Sequence, residues 1–162
     1  MPAYDEYFLD IAWSGGLDSL VELCIDLAPN GRQDIDIGTV TLPALKYLAV
    51  IGTYIIQPLI AAHAWVLPSL KYLVCMSASG LPEPNLVPAL RNFGKSLHRL
   101  SLRGTYPRNL HLDLARLCPS LEFLEVDSTN VSVVINAHPS LRELHFTGAE
   151  TPYPWRDSWE AF

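Results

Sequence analysis

At 162 residues the chain is long enough to bury one sizeable core, and 49% hydrophobic with only 17% charged residues excludes a disordered polymer. A formal net charge of -6 excludes non-specific nucleic-acid binding, which needs a basic surface. The three cysteines, Cys24, Cys75 and Cys118, are odd in number and far apart, so they read as reduced thiols of an intracellular protein (cytoplasmic or nuclear), not as a disulfide frame or zinc site.

Residues 1–16 begin acidic and polar, unlike a secretory signal, and are expected to form an N-terminal cap. From residue 17 to 148 the pattern Leu-x-x-Leu-x-apolar occurs six times. Its first leucines are Leu20, Leu45, Leu70, Leu97, Leu121 and Leu141, at steps of 25, 25, 27, 24 and 20 residues. The second leucines are Leu23, Leu48, Leu73, Leu100, Leu124 and Leu144, and two residues later stand Ile25, Val50, Cys75, Leu102, Val126 and Phe146. A period in this range marks a solenoid, whose units bury their apolar faces by stacking on one another. The second leucine and the apolar residue after it alternate with outward-facing positions, which predicts a half-buried strand in each copy. A small residue precedes every copy and Pro43, Pro68, Pro119 or Pro139 precedes four of those, which predicts an extended entry.

Between strands the chain must travel back, so the strands are parallel. Leu86–Phe93 and Asn109–Leu117 read as short return helices, Tyr54–Val66 as helical or irregular around Pro58, and Asn130–Ala137 as an extended or single-turn return. Tyr47–Leu70 contains no formally charged residue and is long enough to span a bilayer, but Gly52, Gln57, Pro58 and His63 inside it and repeat copies at its edges argue against a membrane span. Residues 149–162 carry Trp155 and Trp159 and are expected to form a C-terminal cap folding over copy six, or a tail. Caps this slight suggest a piece, or a shortened relative, of a longer protein. The expected fold is one α/β domain: a curved parallel sheet of about six strands on the concave face, with helices or irregular returns on the convex face.

The copies resemble those of leucine-rich-repeat proteins, and Cys118-Pro119-Ser120-Leu121-Glu122-Phe123-Leu124-Glu125-Val126 is most similar to the repeats of F-box/leucine-rich-repeat proteins. That resemblance implies substrate recognition for ubiquitin ligation. No F-box is visible here, so ubiquitin-ligase components would be met through a missing region.

A second motif competes. Ser14-Gly15-Gly16-Leu17-Asp18-Ser19 is similar to the phosphate-binding loop of PP-loop ATP-pyrophosphatases, which implies a nucleotide-binding enzyme with Ser14, Gly15, Gly16, Asp18 and Ser19 around pyrophosphate and a helix after Ser19. The repeat register claims the same residues, since Leu17–Leu23 aligns with Leu67–Leu73, and it requires a strand over Leu20–Leu27 where the enzyme needs a helix. His63, His98, His111, His138 and His145 show no metal-ligand spacing, so no catalytic residue, cofactor or metal is expected.

The register also names the outward positions. Copies two and three present Tyr47, Ala49, Ile51, Tyr72, Val74 and Met76 as an apolar and aromatic patch, flanked by Glu22 and Asp26 on one side and Arg99 and Arg103 on the other. An apolar patch rimmed by charge, rich in Tyr, Met and Arg, is expected to bind a protein partner, with Tyr47, Ile51, Tyr72, Val74, Met76, Arg99 and Arg103 as the contact residues. Arg99 and Arg103 are also placed to pair with Glu125 and Asp127 in a solvated network of small value.

Overall fold

Each repeat copy folds as one strand. A computed structural model describes residues 17–27, 40–52, 65–77, 83–104, 112–127 and 138–147. Strands β1 (Glu22–Leu27), β2 (Tyr47–Gly52), β3 (Tyr72–Ser77), β4 (Arg99–Gly104), β5 (Phe123–Asp127) and β6 (Glu143–Thr147) form one six-stranded, all-parallel sheet in sequence order. The second leucines pair in one row, Leu23 to Leu48 to Leu73 to Leu100 to Leu124 to Leu144, so equivalent residues of each copy are neighbours. One carbonyl accepts two consecutive N–H groups at each strand entry: Val21 O from Lys46 and Tyr47, Lys46 O from Lys71 and Tyr72, and so on to Glu122 O from Arg142 and Glu143. This repeated forked bond pins the register.

The row residues and those two positions later supply the core. Leu48, Val50, Leu73, Cys75, Leu100, Leu102, Leu124 and Val126 are buried in one cluster with Leu86, Ala89, Leu90 and Phe93 of helix α1 (Glu83–Phe93) and Leu114 of the single-turn helix α2 (Leu114–Leu117). The architecture is therefore α/β, with helices on one face of a parallel sheet.

Three local expectations are corrected. The Pro-containing entries are turns, not extended: Leu45 N donates to Leu42 O, Leu70 N to Leu67 O and Leu121 N to Cys118 O, with proline at the second position, where its fixed φ suits such a turn. The helix expected over Asn109–Leu117 is interrupted: residues 112 and 113 are not helical, and helix α2 begins at Leu114, where the Asp113 carboxylate accepts from Arg116 N and caps it, while residues 109–111 lie outside the described residues. Val66, expected in a helical or irregular return, bridges Thr41 in parallel. Residues 53–64 and 130–137 of the other returns, and both expected caps, lie outside the described residues. No helix among the described residues is long and apolar enough to cross a membrane.

Copy six enters its strand differently. His138 Nδ1 accepts from Ser140 N at 3.3 Å and Leu141 N at 3.2 Å, and His138 Nε2 lies 2.9 Å from Cys118 O. The imidazole therefore takes the role that a turn carbonyl plays in the other copies, in the tautomer with its proton on Nε2.

Candidate functional site

The sheet face opposite the core is built from three rows that run across the strands, one from each outward register position. The first row is Glu22, Tyr47, Tyr72, Arg99, Phe123 and Glu143, half-buried in its middle four members and exposed at both ends. Tyr47 and Tyr72 meet edge to face with ring centroids 4.9 Å apart. The Arg99 guanidinium lies 5.5 Å from the Phe123 ring centroid, and the His145 ring packs at a tilt against Phe123 at 4.7 Å. The result is a strip of aromatic rings and one cation across strands β2 to β5, extended onto β6 by His145.

The third row places Ile51, Met76, Arg103 and Asp127 along the other margin, all half-buried. The middle row differs from expectation. Ala49 and Val74 are 2% and 7% exposed, and Ser101 and Glu125 are 0% and 6% exposed. Strands about 4.8 Å apart bring the long side chains of the flanking rows close enough to close over a smaller residue between them. Val74 thus underlies the expected contact surface, and the other predicted contact residues, Tyr47, Ile51, Tyr72, Met76, Arg99 and Arg103, form its two margins.

Burial also corrects the expected solvated network. Arg103 Nη2 donates to Glu125 Oε1 at 2.6 Å, and Ser101 Oγ donates to Glu125 Oε2 at 2.7 Å. A carboxylate this deeply enclosed is held by both partners, unlike a surface ion pair. Asp127 accepts from Gly104 N at 3.3 Å, where Gly104 has φ of 104°, a left-handed conformation that favours glycine. The Arg99 guanidinium, expected to meet an acid, is placed on the Phe123 ring.

The tyrosines titrate late. Burial, and next the neighbouring Tyr72, push the Tyr47 hydroxyl up to about 12, and burial with the adjacent Glu125 raises Tyr72. Both stay neutral at physiological pH, so the strip offers hydroxyls and ring faces without negative charge.

A neighbouring row carries no signal in the sequence. The residues just before strands β2 to β6, Lys46, Lys71, His98, Glu122 and Arg142, stand in line, with Lys71 Nζ 3.3 Å from His98 Nε2 and His98 Nδ1 3.4 Å from Glu122 Oε1. The forked hydrogen bonds create this row, and no residue pattern announces it.

Ser14, Gly15 and Gly16 of the competing loop lie outside the described residues. Leu17–Ser19 forms a 3-10 turn that leads into β1, so no α-helix amino end follows Ser19. No group of three His, Cys, Asp or Glu among the described residues is placed to hold a metal. Cys75 and Cys118 are raised to about 12 by burial, which leaves them protonated and unreactive at neutral pH. No protein-family model, curated protein or solved structure matches this chain.

Proposed function

We propose that the chain is a leucine-rich-repeat solenoid acting as a non-catalytic interaction module, which holds a protein partner on the sheet face opposite its core. The carrying observation is the uninterrupted strip Tyr47, Tyr72, Arg99 and Phe123, half-exposed and spaced by the in-register strands. Tyr and Arg are the residue types that anchor interfaces, because they bring large rigid area and a polar tip at small entropic cost. Ile51 and Met76 add adaptable apolar contact beside them. Support for the repeat family is the leucine period and its conversion into one strand per copy. Kinship with F-box/leucine-rich-repeat proteins would make the partner a substrate for ubiquitin ligation, in an intracellular setting.

Differential capture tests this reading. The wild-type chain and Tyr72→Asp are used as parallel baits in a cell extract, with circular dichroism to verify that both are folded. A protein retained by the wild type and lost by the variant supports the site; identical sets of captured proteins refute it. The second reading, a PP-loop enzyme, rests on the Ser14–Ser19 motif and is tested by titration with ATP and magnesium: heat of binding would favour it.

A further inference from the structure

The charges on the outward face are sorted by strand. Taken with the residue just before each, β2, β3 and β4 carry Lys46, Lys71, Arg99 and Arg103 and no acid, in a chain whose acids outnumber Lys and Arg by 17 to 11. The acids lie outside this zone: Glu22 and Asp26 on β1, Glu122, Glu125 and Asp127 at β5, and Glu143 on β6. Arg103 is committed to the enclosed Glu125 carboxylate. Lys46 and Lys71 are exposed, and Arg99 is half-buried with its guanidinium over the Phe123 ring.

Lys46 and Lys71 stand side by side where their strands begin, since Lys71 N donates to Lys46 O at 2.9 Å. Like charges at neighbouring positions of a sheet repel, and an anion seated between them would relieve that repulsion. The Lys71 Nζ lies 3.3 Å from His98 Nε2, and the cationic run ends where His98 Nδ1 meets Glu122 Oε1 at 3.4 Å. Strands are about 4.8 Å apart, so the zone from β2 to β4 spans only about 10 Å, the reach of about three extended residues. A longer acidic tract would run against Glu22 on one side and Glu122 on the other. The complementary ligand is therefore a short acidic stretch bounded by neutral residues, with an apolar or aromatic side chain for the Tyr47 and Tyr72 rings beside it.

We propose that the partner held on this face is a protein segment carrying two or three acidic residues in close succession, seated on Lys46, Lys71 and Arg99 beside Tyr47 and Tyr72. This assignment rests on the interaction-module reading: the rings supply the contact area, and the cations choose the partner's charge.

Random peptides displayed on phage and selected on the immobilised full chain test it, with the recovered peptides titrated against wild type, Tyr72→Ala and the double variant Lys46→Glu/Lys71→Glu. The expected peptides are enriched in two or more Asp or Glu within about three residues. They weaken on Tyr72→Ala and lose about tenfold or more on the double variant, whose exposed positions leave the core intact. In wild type alone, their affinity falls as ionic strength rises from about 0.05 M to about 0.5 M, a readout that needs no variant. Peptides that depend on Tyr72 but show no acidic enrichment overturn the charge assignment and leave the partner reading standing. Acidic peptides held equally by the double variant overturn it as well, because they seat elsewhere. Recovery of no Tyr72-dependent peptide overturns both.

Discussion

Ser101 Oγ donates to Glu125 Oε2 at 2.7 Å across the β4–β5 boundary, on the face where both residues would otherwise meet water. Together with the Arg103 bond to the same carboxylate, it converts part of the outward face into a fixed floor. Glu125→Ala would take this acid from Arg103 and this acceptor from Ser101, at a cost of about 3 kcal/mol. Glu125→Gln keeps an acceptor for one of them and costs less. Urea unfolding of both variants measures the difference; equal losses would mean that the whole contribution rests on the carboxylate charge and none on the acceptor that glutamine keeps.

Gly94 follows α1 and lies against the end of α2. A Cβ added there would sit 2.5 Å from Leu117 O and 2.9 Å from Cys118 Sγ. Backbone cannot withdraw as a flexible side chain can, so Gly94→Ala is expected to destabilise by about 3 kcal/mol, although alanine is the better helix former. Thermal unfolding checks this, and a stabilised variant would contradict the close approach.

Cys75, Cys118 and Tyr47 are acids raised to about 12 from ordinary values of 9.0, 9.0 and 10.0. In each case the unfolded chain loses its proton first. Their contribution to stability is therefore complete below about pH 9 and is lost as pH climbs toward about 12. Absorbance titration of tyrosinate in the wild type and Tyr47→Phe isolates the relevant phase: the difference is expected near pH 12, and a difference near pH 10 would show that Tyr47 is solvated.

The strand positions were legible because a single residue type, the second leucine, repeats in every copy and the strand period is two. Alternation placed Leu48, Val50, Leu73 and Cys75 in the core and Tyr47 and Tyr72 opposite. What escaped was set by contacts across copies. Val74 and Glu125 are covered by neighbours from adjacent strands, which a pattern along one strand does not contain. The entries at Pro43 and Pro68 fit both an extended segment and a turn; the i to i+3 bonds to Leu45 and Leu70 decide for the turn. His138 takes over a carbonyl's role only because Cys118 O, Ser140 N and Leu141 N converge on its ring. Gly94 looks like an ordinary helix stop until α2 is laid against it.

Whether the outward strip binds a partner is decided by the affinity of a protein recovered with the wild-type chain. Calorimetry would compare wild type, Tyr72→Asp and a control away from the strip, Val66→Asp, at an exposed position. Binding through the strip predicts a loss of about tenfold or more, roughly 1.4 kcal/mol, for Tyr72→Asp and no change for the control. Undiminished affinity in a folded Tyr72→Asp would contradict it.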